Sequence, residues 1–140
     1  MNKINVLIVG TIFLFLTISC SSFMKGEKLA EPAAKNFHSL FNDGKYVEIY
    51  NQADDAFKRV LTEKQWIEMC EKVKRKLGSV KSARSTGTKM NTNNSGTVAT
   101  ITFDVEFTEG KGTEEFLFRI ADEKARLFNY EVNSPQWNAK

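Results

Sequence analysis

The sequence predicts an α+β fold, three N-terminal helices packed on one face of a four-stranded, curved antiparallel sheet. Two observations carry that expectation. Apolar residues recur three and four positions apart up to Gly78 and two positions apart beyond it. The second half is also punctuated by Asn93-Asn94-Ser95-Gly96, Glu109-Gly110-Lys111-Gly112 and Asp122-Glu123-Lys124, which read as short turns joining sequential strands into a meander. Eleven Phe in 140 residues give such a fold a core, and two Pro and eight Gly are too few for collagen-like or Pro/Gly-rich disorder. The balance of 20 Lys and Arg against 17 acids, a formal charge of +3, is too small and too mixed to announce nucleic acid, and none is expected as a partner.

Residues 1–19 form the first segment. Lys3 is followed by no charge until Lys25, and the uncharged run from Ile4 to Ile18 is shorter than the ~20 apolar residues a bilayer-spanning helix needs. This is the layout of a secretory signal peptide. It ends in Leu16-Thr17-Ile18-Ser19-Cys20-Ser21-Ser22, which resembles a bacterial lipobox. Ile18, Ser19 and Cys20 stand at the matching positions; the Leu most often found three places before the Cys stands one place earlier, as Leu16. The resemblance implies cleavage between Ser19 and Cys20, with an S-diacylglyceryl group and an N-acyl chain on Cys20. The lipid bilayer is then a partner through Cys20. Ser21 is not the Asp that commonly retains such proteins at the inner membrane. The resemblance therefore implies a lipid-anchored protein of the cell membrane, at the periplasmic face of the outer membrane if the cell has two membranes. From the residues alone Cys20 has two other readings, a thiol in an uncleaved anchor or half of a disulfide with Cys70.

Residues 20–28 carry no helical or strand period and read as a tether, about 26 Å long if fully extended. The globular domain is expected over 29–137, with 138–140 a tail. A helix is predicted over 30–43, with Pro32 in its first turn, Ala33, Phe37, Leu40 and Phe41 as its stripe and Asp43-Gly44 as its stop. A second, over 45–59, carries Tyr46, Ile49, Tyr50, Ala53 and Phe57. The third, over 63–77, has the best local signals: a capping box from Thr62 to Gln65, a staple between Leu61 and Trp66, and the stripe Trp66, Met69, Cys70, Val73 and Leu77. A weak strand is expected from Ser79 to Met90. Next comes a long half-buried one in which Thr97, Ala99, Ile101, Phe103, Val105 and Phe107 alternate with polar positions. Phe116, Phe118 and Ile120 mark a third, and Phe128, Tyr130 and Val132 a fourth.

In order along the helical half stand Phe37 to Leu40, Tyr46 to Tyr50, Phe57-Lys58, Trp66 and Leu77-Gly78. With these the chain resembles secreted bacterial domains of the domain-of-unknown-function 4019 type, within the nuclear-transport-factor-2-like and cystatin-like cones. The similarity implies a cone-shaped α+β domain from about Leu29 to Val132. It implies no chemistry, because the shared positions are core aromatics and the superfold hosts isomerases, binding pockets and interaction modules alike.

Catalytic material is sparse, and no catalytic residue, metal or cofactor is expected. The sole histidine, His38, borders an apolar stripe, and Cys70 lies in one that would raise its pKa and silence a Cys70–His38 dyad. Isomerases of the cone type use a carboxylate and a phenol in the pocket, which turns attention to Asp104, Glu106 and Tyr130. By alternation, however, Asp104 and Glu106 face away from Phe103 and Val105 toward water. The acids at 113–115 and 122–123 are expected exposed in turns. Lys72, Lys74, Arg75, Lys76, Lys81 and Arg84 form a cationic cluster with only Glu71 as acidic company. It complements the end of the third helix or contacts an anionic surface, a headgroup layer or an acidic partner. The expected function is that of a membrane-anchored envelope lipoprotein with a small non-catalytic domain binding an envelope protein or small ligand. The alternatives are an inhibitor or accessory module of an envelope enzyme and, behind it, a pocket enzyme of the isomerase type.

Overall fold

Four antiparallel strands in sequence order make one open sheet: β1 (Val80–Asn93), β2 (Gly96–Phe107), β3 (Gly110–Ala121) and β4 (Lys124–Asn133). The computed structural model describes residues 19–137, with side chains from Lys25 onward. Residues 1–18, which hold nearly all of the segment expected as a signal peptide over 1–19, and 138–140, expected as a tail, lie outside the described residues. Ahead of the sheet come α1 (Ser19–Asn42), α2 (Tyr46–Gln52), α3 (Asp55–Val60) and α4 (Glu63–Leu77), and a 3-10 turn over Pro135–Trp137 follows it. The α+β class with helices before a four-stranded meander is therefore as expected, with four helices in place of three.

The face toward the helices is written in the alternation of β2 and β3. Ala99, Ile101, Phe103, Val105 and Phe107 are all buried, and Phe116 and Phe118 join them from β3. From the other side come Phe37, Leu40 and Phe41 of α1, Ile49 of α2, Phe57 of α3, and Trp66, Cys70, Val73 and Leu77 of α4. Aromatic rings meet at the centre: Phe37 lies 4.9 Å from Phe116 and 4.8 Å from Tyr130, and Phe57 is edge-on to Trp66 at 5.3 Å, centroid to centroid. Such contacts add to the area term of burial.

α4 is as the sequence predicts. Gln65 N–H donates to Thr62 Oγ1 at 3.3 Å and Thr62 N–H to Gln65 Oε1 at 3.0 Å, which closes the capping box. Trp66 is fully buried, and its indole N–H donates to the Tyr46 carbonyl at 3.0 Å, tying α4 to α2.

Four expectations are corrected. The predicted helix over 45–59 is two helices, because Asp54 N–H donates to the Leu127 carbonyl of β4 at 2.8 Å instead of continuing the ladder. The Asp54 side chain then caps α3 through Ala56 N–H and pairs with Arg119 Nε at 3.1 Å. Residues 20–28, expected as an aperiodic tether, belong to α1, which reaches back to Ser19. Pro32 accordingly sits inside α1 and not in its first turn. Its missing N–H removes the helical bond to the Lys28 carbonyl, and both residues are exposed, so water can reach that carbonyl. In β4 the extra residue Phe128 bulges between Leu127, opposite Phe118, and Asn129, opposite Leu117. Leu127 and Tyr130 thus point inward while Phe128 turns outward, under the Arg119 guanidinium at 4.6 Å. Finally, Gly110, Lys111 and Gly112 belong to β3 and not to a turn, the β2–β3 connection being Thr108-Glu109. Gly112 is needed there because a Cβ would stand 2.4 Å from the Asn133 carbonyl oxygen of β4.

Replacing Trp66 with Ala removes a fully buried ring and the bond to Tyr46, and is expected to cost about 3–5 kcal/mol in urea unfolding. An unchanged midpoint would contradict the docking of α4.

Candidate functional site

The interior holds one acid. Glu114 stands on β3 two residues before Phe116 and therefore on the same face, and its residue is 1% exposed. Tyr130, brought opposite Phe116 by the β3–β4 register, donates its hydroxyl to Glu114 Oε1 at 2.6 Å. His38, on α1, is joined through Nε2 to Glu114 Oε2, also at 2.6 Å. Rings of Phe37, Phe103 and Phe116 stand edge-on around the imidazole at 5.6–6.0 Å. Burial, then the Glu114 carboxylate beside it and the hydrogen bond to it, push the Tyr130 phenol well above its ordinary range. Among the described residues no buried polar side-chain atom lacks a hydrogen-bond partner.

The acids at 113–115 were expected exposed, and Glu114 corrects that. Two-residue spacing from Phe116 and Phe118 back to position 114 is the sequence signal that finds it; placing a turn at 110–112 hid it. A carboxylate, a phenol and an imidazole thus meet inside the molecule, with Glu114 in the place for which Asp104 and Glu106 were weighed. They line none of the three clefts described next. A cleft of about 70 Å³ between α1, α2 and the sheet is lined by Phe37, Leu40, Ile49, Phe118 and Leu127 among others, and another groove runs along α1 from Glu27 to Lys35. Neither is lined by Glu114, His38 or Tyr130.

A broad groove lies on the opposite face of the sheet. Ser82 and Arg84 of β1, Asp104 and Glu106 of β2, Lys111 and Thr113 of β3, and Asn133, Ser134 and Pro135 border a groove of about 830 Å³. Cross-strand register sets these side chains in rows, Arg84 opposite Asp104 and Asp104 opposite Thr113. Arg84 Nη2 meets Asp104 Oδ2 at 2.7 Å, and Lys81 Nζ meets Glu106 Oε1 at 3.3 Å. Asp104 and Glu106 are on the wet face, as alternation requires. The groove is mixed in charge, with donors and acceptors for a polar ligand.

The cationic cluster is dispersed by its own contacts. Lys74 Nζ donates to the Asn42 carbonyl at 3.1 Å and to Ser79 Oγ at 2.7 Å, closing the end of α1 onto that of α4. Lys72 lies 5.8 Å from the Trp137 ring centroid and Arg75 faces Glu71 at 3.9 Å. Arg84 borders the groove, Lys81 is paired with Glu106 beside it, and Lys76 has contacts of its own. Cys20 and Ser19 fall in the first turn of α1.

The family model described as "Protein of unknown function (DUF4019)" matches residues 33–130, most of the chain. The chain belongs to this family. No curated protein matches it. The matched span runs from within α1 to Tyr130, so this DUF4019 domain contains all three members of the interior constellation, β1 to β3 and most of β4.

Among the described residues no group of three or more His, Cys, Asp and Glu could hold a metal ion, and no helix is long and apolar enough to cross a membrane. Cys70 of this DUF4019 domain is a free, buried thiol, pushed by burial and then by the Glu71 carboxylate from 9.0 up to about 12. Near neutral pH Cys70 therefore stays a protonated thiol. Because the folded value is raised, the unfolded chain loses this proton first. Stability is fully present below pH 9 and falls as pH rises toward 12, by at most about 1.4 kcal/mol per pH unit. Tyr130 adds to the fall above pH 10. Urea unfolding at stepped pH should show the decline, and Cys70→Ala should flatten its first part; identical profiles for the two proteins would contradict the assignment.

Proposed function

We propose that this chain is a bacterial envelope lipoprotein, anchored through S-diacylglyceryl and N-acyl groups on Cys20. Its domain, of the nuclear-transport-factor-2-like or cystatin-like kind, is then a non-catalytic binding module. The observation that carries the binding reading is the inversion of polarity between the two faces of the sheet. Where cone enzymes keep a pocket, this interior is filled with aromatic rings and its one carboxylate is hydrogen-bonded through both oxygens. The broad groove, with Arg84, Asp104, Glu106 and Lys111 on its walls, opens on the outer face. A ligand or protein partner taken there meets paired charges and no reactive group set apart from them. The anchoring reading is supported by the uncharged run, Ser19-Cys20 at its end, and Ser21 after it. In a cell with two membranes the position is the periplasmic face of the outer membrane.

A pocket enzyme of the isomerase type is the second reading, favoured by the inward Glu114 and Tyr130. It would need an opening onto them, and none of the three clefts above supplies one.

The test is photo-crosslinking in intact cells. A photoreactive residue replacing Thr113 in the groove is expected to give a discrete adduct. One replacing Lys64, which is exposed on the helical side, is expected to give none. Cys20→Ser is expected to shift the protein out of the membrane fraction. Equal labelling from both positions would sink the groove, and a Cys20→Ser protein that is still processed and resists carbonate washing would sink the anchor.

A further inference from the structure

The first turns of α1 are held against the sheet. Lys25 Nζ meets Glu123 Oε1 at 2.7 Å, and Gly26 is buried so close to the Met90 side chain that a Cβ there would stand 2.2 Å from the Met90 methyl carbon. The pairing with Lys25 holds the Glu123 carboxyl below its usual range although it is fully exposed. Glu123 and its neighbour Asp122 are the two residues of the β3–β4 turn, with φ of 57° and 50°, the left-handed pair of a tight hairpin. At its other end α1 is clamped as firmly. Asn42 Nδ2 donates to the Val80 carbonyl at 2.9 Å, and Val80 N–H donates to Asn42 Oδ1 at 2.8 Å. The helix is therefore fastened on both sides of Pro32.

These contacts fix a direction. The N-terminal end of α1 lies at the end of the sheet that carries both hairpin turns, 93–96 and 121–124; its C-terminal end lies where β1 begins. From Cys20 to Asn42 the helix rises about 33 Å. Arg84, Asp104, Lys111 and Asn133, on the groove, and Lys74 and Lys76, at the end of α4, all lie toward that far end. With α1 upright on a bilayer attached at Cys20, those residues stand about 30 Å from it, several Debye lengths at physiological salt. No apolar patch draws the domain down onto the lipid, since Val47 and Val60 are the only large apolar side chains exposed among the described residues.

We propose that α1 is a strut which, with the acyl anchor on Cys20, stands the domain on the bilayer by its two hairpin turns and holds the groove and the end of α4 away from the lipid. The proposal rests on the anchored reading above. Its consequence is that the occupant of the groove comes from the aqueous space and that the cations near the end of α4 face such a partner and not the headgroups to which the protein is attached.

The experiment uses the full-length protein, purified from membranes, weighed by mass spectrometry, and reconstituted in phosphatidylcholine–phosphatidylglycerol vesicles containing a headgroup-attached quencher. A maleimide dye is placed at Ser95→Cys in the near hairpin or at Glu109→Cys in the β2–β3 turn; Cys70 is buried and does not compete. The dye at position 95 is expected to be quenched several-fold more than that at 109. Inserting Gly-Ser-Gly-Gly between Lys28 and Leu29 should bring the two toward equality. Acylated protein that quenches equally at both positions, or more at 109, overturns the strut, as does a difference that the insertion leaves unchanged. A protein without acyl mass on residue 20 removes the anchored reading and the strut together.

Discussion

The Glu114 carboxylate is the point at which the two layers of this molecule are joined. Taking a carboxylate out of water costs several kcal/mol even after relaxation, so a buried acid persists only where its oxygens are bonded. Here one oxygen takes the Tyr130 hydroxyl from the neighbouring strand and the other faces His38 on α1, each at 2.6 Å. Charge-assisted bonds of this length are the strong ones, and they are directional where the surrounding packing is not. Aromatic contacts among Phe37, Phe116 and Tyr130 would tolerate sliding of α1 along the sheet; the bond from His38 does not. With α1 fixed in this way, Asn42 reaches Val80, Lys25 reaches Glu123, and Trp66 closes the space between α4 and β4.

That arrangement also sets how the polar groups of the interior are engaged. Glu114 has its oxygens engaged, Tyr130 is pushed well above its ordinary pKa by burial and by that same carboxylate, and the surrounding volume is filled with rings. Polarity and space lie instead on the outer face, where cross-strand rows of opposite charge border a broad groove. Membership of the DUF4019 family extends over the helices and the sheet together.

The sequence carried the elements whose signals are local. Thr62 and Gln65 announce the start of α4 because a capping box is made within four residues, and β2 announces its inner face because five apolar positions, Ala99 to Phe107, alternate without interruption. What failed was decided by distant partners. The break between α2 and α3 comes from Asp54 bonding to Leu127, 73 positions away, and apolar spacing through Tyr46, Tyr50 and Phe57 runs straight across it. The bulge at Phe128 changes the face of one aromatic residue without changing the composition of the strand. Residues 20–28 have few apolar positions to show a period because this part of α1 is held by one ion pair and a glycine contact. Glu114 was misplaced for a related reason: Gly110 and Gly112 resemble a turn, whereas Gly112 is required by the approach of Asn133.

A double-mutant cycle on His38 and Glu114 tests the central claim most directly. His38→Ala, Glu114→Ala and the double variant would each be unfolded in urea at neutral pH. If the carboxylate joins the layers, each single variant leaves a buried partner unsatisfied, and the double variant costs less than the two losses combined, by about 1–3 kcal/mol. Losses that simply add would contradict the account, and so would a Glu114→Ala variant as stable as the wild type.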